Sequence, residues 1–314
     1  MYRIGIDLGG INIAAGLVDE SGALIAKKSV PTALPDDTAE DITLKMVRLA
    51  SALADESKTD KKDIKSIGIG CPGAVDAENG VIILTPNLPY RNFNVREFFA
   101  KYTDTPVFID NDANCAALGE VVSGAAKNYG TALAVTLGTG VGGGIIIDGK
   151  IYGGFNCAAG EMGHMITHKD GRKCNCGRRG CFETYASATA LINDTKAAAE
   201  AHPESRLNEL CGGELSKING KTAFDGKRLG DKTASEVVDN YIRELGEGVI
   251  NYINIFQPEI LLLGGGIANE GEYLLAPLRE YVFKYSYGSE LLPRTKIEKA
   301  ALGNDAGIIG AAML

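Results

Sequence analysis

Four soft metal ligands lie between residues 164 and 181 of this 314-residue chain: one histidine, His164, and three cysteines, Cys174, Cys176 and Cys181. One imidazole and three thiolates form a ligand set that zinc closes into a tetrahedral structural site. The glycines between the cysteines allow the backbone to turn tightly enough to aim them inward. The cluster therefore predicts a structural Zn²⁺ site. A disulfide is less favoured, because clustered Cys and His in a cytosolic protein more often bind metal.

Two glutamates, Glu161 and Glu183, flank the predicted metal ligands without belonging to them. A loop stiffened by the metal could therefore present carboxylates to a polar ligand. His168 is an alternative fourth ligand, although His164 is preferred because it lies beside Glu161 in a glycine-containing turn. The remaining cysteines have no ligand spacing and are interpreted as buried small residues; they are Cys71, Cys115, Cys157 and Cys211.

The length and composition of the chain favour a protein that acts on small molecules. A single hydrophobic core rarely extends beyond about 300 residues, so this length predicts two domains with a binding cleft between them. A net charge of −8 provides no positive surface for nucleic acid or anionic membrane. The N-terminus lacks a secretion-signal pattern, and glycines interrupt the uncharged stretch 129–147, which predicts two strands and no membrane span. We therefore expect a cytoplasmic protein that binds neither nucleic acid nor membrane.

Two segments, 4–19 and 133–148, share one pattern. Each has an apolar strand, a glycine turn, a second apolar strand and an acidic turn, which predicts two related domains that each begin with a β-hairpin. Glycine turns of this kind either satisfy hairpin geometry alone or expose backbone N–H groups to phosphate. A third glycine turn, 264–266, follows an apolar strand and could let the backbone approach a ribose or a flat ring. Its alternative interpretation is an ordinary strand-to-helix turn.

Three polar residues, Asp110, Asn111 and Asp112, lie where a predicted strand ends and an Ala-rich helix begins. In open α/β sheets, ligands bind at this carboxyl edge of the strands. Either Asn111 or Asp112 could simply cap the helix. Because a cap needs only one of them, three polar residues in a row indicate a ligand site.

The apolar periodicity predicts several helices that would position these residues. They cover 37–57, 95–102, 187–201, 235–256 and 272–285, with a last one from Ala306. The polar, glycine-rich stretch 208–231 predicts short helices or a mobile connection.

Seven motifs along the chain resemble, in the same order, those of the ROK family of bacterial sugar kinases. They lie at 7–10, 71–76, 87–89, 111–120, 137–144, 161–164 and 174–183. The resemblance runs essentially from end to end and is greatest to ROK glucokinases of the Gram-positive type. It implies a two-lobed α/β fold that is actin-like and hexokinase-like (ribonuclease H-like), with ATP and sugar in the interdomain cleft. We expect a small N-terminal lobe of 1–116 plus 300–314, and a larger C-terminal lobe of 117–299 that carries the zinc loop.

The resemblance implies phosphoryl transfer from ATP to the 6-hydroxyl of a hexose, with glucose as the favoured acceptor. Asp112 is the expected catalytic base, because that role needs a carboxylate within hydrogen-bond reach of the reacting hydroxyl. The implied sugar-binding residues are Gly73, Asn87, Asn111, Asp112, Glu161, His164 and Glu183. His164 would then contact both metal and sugar, so that zinc fixes the geometry of the sugar site.

On the donor side, the resemblance implies that Asp7 organises Mg²⁺ and that glycine turns hold the nucleotide. The implied residues are Asp7, Gly9, Gly10, Gly138, Thr139, Gly140, Gly265 and Gly266. Magnesium needs few protein ligands because it keeps waters and binds the nucleotide. One position departs from the family pattern: Ile11 stands where threonine is usual, so a hydroxyl near phosphate is missing unless Asn12 or backbone amides replace it.

Alternatives within the family stay open. N-acetylmannosamine, N-acetylglucosamine or fructose could be the acceptor, and polyphosphate could be the donor. A sugar-sensing regulator of the same family would carry a helix-turn-helix before the first motif, whereas here that motif starts at Asp7. A non-catalytic sugar-binding protein is a further alternative, although it would not explain Asp112 together with the duplicated glycine turns. The resemblance also suggests a homodimer.

Overall fold

The computed structural model of the protein describes residues 1–32 and 36–314. These residues form two compact units, and the predicted α/β class is confirmed. The first unit contains Met1–Ala134, Gly144–Gly160 and Ala300–Leu314, and the second contains Val135–Gly143 and Glu161–Lys299. The expected lobes, 1–116 with 300–314 and 117–299, stay a prediction, because contact density alone does not define the lobes that fold or move separately.

The first unit is built on a five-stranded sheet and a smaller three-stranded one. Its strands are β1 (Tyr2–Leu8), β2 (Asn12–Asp19), β3 (Leu24–Pro31), β4 (Ile64–Cys71), β5 (Ala74–Asp76), β6 (Val81–Leu84), β7 (Arg91–Asn94) and β8 (Val107–Asn111). The larger sheet has the order β3-β2-β1-β4-β8, and the smaller one has the order β5-β6-β7. Strands β1, β4 and β8 are parallel, so their carboxyl ends meet at one edge of the sheet. This edge carries Asp7, Cys71 and Asn111.

The second five-stranded sheet has the order β11-β10-β9-β12-β13. Its strands are β9 (Ala132–Leu137), β10 (Val141–Ile147), β11 (Lys150–Ile151), β12 (Ile260–Gly264) and β13 (Lys296–Lys299). The prediction of two strands over 129–147 is confirmed by β9 and β10. No helix among residues 1–32 and 36–314 is long and apolar enough to cross a membrane.

The helices follow the predicted order. They are α1 (Ala39–Glu56), α2 (Val95–Phe99), α3 (Asp112–Ser123), α4 (Glu183–Ala186), α5 (Ala188–Ala201), α6 (Arg206–Leu210), α7 (Thr222–Arg228), α8 (Lys232–Phe256), α9 (Glu272–Tyr285) and α10 (Ala306–Ala312). Helix α2 is shorter than predicted, and α8 begins earlier because Asp231 caps it. The stretch 208–231 contains the short α7 and the end of α6, which confirms the short-helix interpretation.

The two faces of the first sheet are covered differently. Helix α1 packs its apolar side, which includes Ile42 and Met46, against the sheet core. Helix α10 approaches the sheet backbone so closely that a Cβ atom on Gly5 would lie 1.8 Å from the carbonyl oxygen of Ile308. A Cβ atom on Gly68 would likewise lie 1.7 Å from the Ala311 carbonyl oxygen. Glycine in β1 and β4 is therefore a steric requirement for docking the last helix.

Candidate active site

The junction between β8 and α3 gives three neighbouring polar residues three different tasks. Asn111 is the N-cap of α3, because its Oδ1 accepts the backbone N–H groups of Ala113 (2.9 Å) and Asn114 (3.3 Å). Its Nδ2 donates to the Gly73 carbonyl oxygen at 3.2 Å. The capping interpretation is therefore correct for Asn111, and one amide hydrogen is left for a ligand.

Asp110 stabilises the same junction from the strand side. Its Oδ1 accepts the Asn111 backbone N–H at 2.7 Å and the Asn114 Nδ2 at 2.8 Å. Burial raises the pKa of the Asp110 carboxyl, while these hydrogen bonds oppose the shift. Asp110 therefore acts on the backbone that carries Asp112, and the sequence alone did not separate these roles.

Asp112 is the first residue of α3 and is half-buried. Its Oδ1 accepts the N–H of Ala113 at 2.9 Å. Burial raises the pKa of its carboxyl above the ordinary aspartate range, and the hydrogen bond from Ala113 opposes that shift. A carboxylate whose pKa lies nearer to neutrality is a better match for proton abstraction from a hydroxyl.

A second carboxylate, Asp7, lies close enough to Asp112 for the two charges to interact. Burial, followed by the negative charge of Asp112, raises the pKa of Asp7 to about 6. Asp7 is at the end of β1, and a Cβ atom on Gly307 would lie 3.1 Å from its carboxyl carbon. Two half-buried carboxylates that repel each other are suited to a divalent cation, because the cation removes the repulsion. These oxygen donors fit Mg²⁺.

The glycine turn between β1 and β2 is stabilised by a hydrogen bond from Thr32, which lies outside the glycine motif. The Gly9 N–H donates to the Asn12 carbonyl oxygen at 3.0 Å, and the Thr32 hydroxyl donates to the Gly9 carbonyl oxygen at 2.6 Å. The space around Gly10 is open, so its backbone is accessible. Sequence reasoning missed Thr32, because only the β2–β3 pairing brings it beside the turn.

Ile11 follows the two glycines of this turn and is 83% exposed. Its carbonyl oxygen accepts the Thr32 N–H at 2.9 Å, so the backbone is held although the side chain lies in solvent. An exposed isoleucine at this position is not required by the packing of the first unit.

The other two predicted sugar contacts of the first unit are differently placed. Gly73 has φ +89°, and a Cβ atom there would lie 2.3 Å from the Leu84 carbonyl oxygen, so only glycine fits. Its carbonyl oxygen holds Asn111, as described above. Asn87 is exposed in the turn between β6 and β7. The structure thus brings Gly73, Asn111, Asp112 and Asp7 to one edge and leaves Asn87 on a neighbouring turn.

In the second unit, the glycine turn between β9 and β10 contacts Glu183, one of the residues predicted to bind the sugar. The Val141 N–H donates to Oε2 of Glu183 at 3.4 Å, and a Cβ atom on Gly140 would lie 2.5 Å from the same oxygen. The Gly138 carbonyl oxygen accepts the Ala188 N–H at 2.9 Å, which ties the turn to the start of α5. Thr139, at the tip, is exposed.

The third glycine turn approaches the end of β9. Gly265 has φ +85°, and a Cβ atom there would lie 2.4 Å from the Leu137 carbonyl oxygen. Gly266 is exposed and has open space around it. Because Leu137 immediately precedes Gly138, the two turns lie side by side, as binding of one nucleotide by both would require.

The predicted metal ligands form one cluster. The donor atoms of His164, Cys174, Cys176 and Cys181 all lie within 4.8 Å of one another. The Cys176 and Cys181 sulfurs are 3.6 Å apart, and the Cys174 sulfur is 3.8 Å from His164 Nδ1. Zinc–sulfur bonds of about 2.3 Å in a tetrahedron give sulfur–sulfur edges of about 3.8 Å. The geometry therefore fits a structural zinc.

The alternative ligand, His168, belongs to a different contact. Its ring stacks on Tyr185 with centroids 4.1 Å apart, and its Nε2 lies 3.5 Å from Glu244 Oε1. His168 is not part of the metal-compatible group found among the described residues. The preference for His164 over His168 is therefore supported by geometry.

The two ring nitrogens of His164 have different neighbours. Nδ1 faces the cysteine cluster and Glu183, whereas Nε2 faces Glu161. Its Nδ1 lies 3.9 Å from Glu183 Oε1, and its Nε2 lies 3.9 Å from Glu161 Oε2. The short 3₁₀ turn Met162–His164 is anchored by the Tyr252 hydroxyl, which donates to the Met162 carbonyl oxygen at 2.7 Å. The glutamates and the histidine predicted to hold a sugar are therefore neighbours. Outside the cluster, Cys71, Cys115 and Cys211 are buried as predicted, whereas Cys157 is half-buried.

The fold and these groups define the class of hexokinase-like α/β phosphotransferases. More narrowly, the model of the ROK family matches residues 3–314, and the chain belongs to that family. The expectation drawn from the seven sequence motifs is confirmed.

Three relatives illustrate what the chain is similar to. A glucokinase from Thermotoga maritima is 38% identical over 312 residues, which cover 99% of this chain and 96% of that protein. The crystal structure of a ROK family glucokinase from Streptomyces griseus, in complex with glucose and AMPPNP, superposes with a TM-score of 0.81 at 35% identity and covers 100% of this chain and 98% of that one. A xylose repressor from Caldicellulosiruptor bescii is 31% identical over 307 residues, which cover 98% of this chain and 76% of the repressor.

Replacing Cys181 by serine should remove the metal and destabilise the protein, because Cys181 is fully buried in the cluster. Metal binding contributes on the order of 10 kcal/mol in small zinc sites. Since 1 kcal/mol shifts Tm by about 2–4 °C in domains of this size, we expect Tm to fall by about 10 °C or more. Elemental analysis for zinc and thermal unfolding measure both effects. Cys157→Ser is the matched control, and equal zinc content in the two variants would contradict the assignment.

Proposed function

We propose that this chain is an ATP-dependent hexose kinase that transfers a phosphoryl group to the 6-hydroxyl of glucose. The observation that carries the proposal is the pair of half-buried carboxylates, Asp112 and Asp7, at the carboxyl edge of the first sheet. The relatives support the same activity, since glucokinases are similar to the chain over nearly its whole length.

Asp112 is the proposed catalytic base. It accepts the proton of the sugar 6-hydroxyl, whose oxygen then bonds to the γ-phosphorus of ATP while the bond from that phosphorus to the ADP oxygen breaks. Asp110 and Asn111 hold the start of α3, so the Asp112 carboxylate is positioned before substrate binds. Magnesium, when bound, would neutralise negative charge on the phosphates, and Asp7 is the residue placed to orient it through water.

The other sugar hydroxyls need directional hydrogen-bond partners. We assign this role to Gly73, Asn87, Asn111, Glu161, His164 and Glu183. Carboxylates and amides suit the task, because each offers several acceptor or donor positions to neighbouring hydroxyls. Zinc, held by His164 and the three cysteines, would fix the orientation of the imidazole and of the glutamates beside it.

The three glycine turns are the proposed donor site. Gly9, Gly10, Gly138, Thr139 and Gly140 would contact phosphates, and Gly265 and Gly266 would border the adenosine. Backbone N–H groups at open glycines can approach phosphate oxygens without steric hindrance. Ile11 supplies no hydroxyl here, and the Thr32 hydroxyl is occupied by the Gly9 carbonyl, so backbone groups carry this turn's contacts.

A second candidate function is sugar sensing without catalysis, because xylose repressors of the family are also similar to the chain. Asp112 argues for catalysis, since a pure sensor needs no base with a raised pKa. We further propose that the enzyme is cytoplasmic, binds neither nucleic acid nor membrane, and forms a homodimer as the family resemblance suggests.

A coupled ADP-release assay with glucose, mannose, fructose, N-acetylglucosamine and N-acetylmannosamine tests the proposed activity. We expect glucose to give the highest kcat/KM, and we expect the rate to require Mg²⁺. The matched control is the same reaction with 6-deoxyglucose, which lacks the reacting hydroxyl and should give no ADP above the ATPase background. Absence of magnesium-dependent turnover with every sugar would contradict the proposal.

Asp112→Asn should lower kcat by about 10²–10⁴-fold, the usual contribution of a positioned base. The asparagine side chain keeps an acceptor for the Ala113 N–H, and Asn111 still caps α3, so the fold should be preserved. Steady-state kinetics, with thermal unfolding as the control, measure the effect. A kcat near that of the unmodified enzyme would show that Asp112 has only a local structural role.

As the pH is lowered, kcat/KM should begin to fall at a higher pH than it would if the base were an ordinary aspartate, whose pKa is about 4. The base works only when ionised, and burial raises the pKa of Asp112, while Asp7 beside it has a pKa of about 6. We therefore expect the acid limb of the profile to lie at a higher pH than an ordinary aspartate base would give. Initial rates from pH 5 to 9, with circular dichroism to verify folding, provide the test. A flat profile down to about pH 5 in folded protein is inconsistent with this mechanism.

A further inference from the structure

A cavity of about 360 Å³ lies within the second unit, between α5 and the hairpin at residues 172–181 that carries the three clustered cysteines, here called the zinc hairpin. Its lining includes Thr139, at the tip of the proposed phosphate-binding turn, and Glu183, which contacts the same turn. It also includes Lys173, the residue before the metal ligand Cys174. The cavity therefore connects the proposed donor turn with a cation that the proposed function does not yet use.

The cavity is lined by two cationic side chains, Arg172 and Lys173, and only one of them lacks a carboxylate partner among the described residues. Arg172 is neutralised, because its two terminal nitrogens lie 2.8 and 3.1 Å from the two carboxylate oxygens of Asp194. Its guanidinium also stacks over the Tyr185 ring, 4.6 Å from the ring centre. Lys173 is exposed and has no carboxylate partner among residues 1–32 and 36–314. Lys173 is thus the available cation of the cavity.

The backbone at Lys173 is fixed although its side chain is exposed. Lys173 forms an antiparallel bridge with Arg179, and the N–H of Cys174 donates to the Arg178 carbonyl oxygen at 2.9 Å. Gly180 completes the hairpin, because its N–H donates to the Arg172 carbonyl oxygen at 2.8 Å. A metal-braced hairpin therefore carries the lysine at a defined place on the cavity wall.

We propose that Lys173 binds the phosphoanhydride chain of the phosphoryl donor, which rests on the proposed kinase function. An ammonium group is a flexible point charge that reaches phosphate oxygens, and it would supply the side-chain cation that the glycine turns lack. The metal-ligand cluster then adjoins groups proposed for both substrates: His164 and Glu183 for the sugar, and Lys173 for the donor. ATP and inorganic polyphosphate share this chemistry and are distinguished by the experiment.

Lys173→Gln should raise the KM for ATP about tenfold, the effect of losing one charged hydrogen bond. Because the proposal assigns the lysine to the donor and not to the sugar, kcat and the KM for glucose should stay within about twofold. The dissociation constant of magnesium-AMPPNP, measured by calorimetry, should rise by the same factor as KM. Lys173→Arg, which keeps the charge, should restore most of the affinity. A parallel series with polyphosphate as donor shows which chain the lysine serves in this enzyme.

Lys169→Gln is the matched control, because Lys169 is an exposed cation of the same loop outside the cavity. Its donor KM should be unchanged. An unchanged KM for both ATP and polyphosphate in Lys173→Gln, or an equal loss in both variants, would overturn the inference. If Lys173→Gln also loses zinc, Lys173→Arg and Lys173→Met are compared at full zinc occupancy, and equal affinities there overturn it as well. An unmodified chain that turns over no hexose with either donor would instead contradict the proposed function.

Discussion

Burial of negative charge at the carboxyl edge of the first sheet is the constraint on which the site depends. Asp7 and Asp112 are both half-buried and repel each other, so water alone does not stabilise the charged form of either carboxylate. The fold compensates with fixed donors: the Ala113 N–H for Asp112, and the Asn111 cap that holds the start of α3. Lys27 acts on Asp7 from a distance, and its own ion pair is with Asp305. The negative charge that remains uncompensated is of the kind that a divalent cation can neutralise.

A similar coupling of local order to function applies in the second unit, at the hairpin formed by residues 172–181. The hairpin at 172–181 is short and polar, and it is held by few backbone hydrogen bonds and by the four clustered ligands. Glu183 contacts both the His164 imidazole and the glycine turn between β9 and β10. A rigid hairpin would therefore also fix the positions of the residues proposed to bind the sugar. If zinc binds this cluster and the glutamates bind sugar, as proposed, the stability of the loop and the geometry of the sugar site are coupled.

The sequence alone predicted the α/β class, most helices and the metal cluster, because each depends on local spacing. The two hairpins and the Gly265 turn were also recognisable, since glycine marks backbone that must turn or approach closely. The functions of Asp110, Asn111 and Thr32 were not predictable in the same way. The helix cap at Asn111, the contacts of Asp110 from the strand side and the Thr32 hydroxyl just after β3 can be told apart only from three-dimensional contacts. The placement of His168 against Tyr185 and Glu244 likewise depends on packing with α8.

The docking of α10 against β1 and β4 has a consequence for how the chain is made. The first unit takes its last segment from Ala300–Leu314, which follows all of the second unit in the sequence. Gly5 and Gly68 leave space that this helix alone fills so closely. During translation, the part of β1 and β4 that α10 covers therefore stays uncovered until more than two hundred further residues have left the ribosome. The first unit can therefore complete its packing only after the second unit has been synthesised.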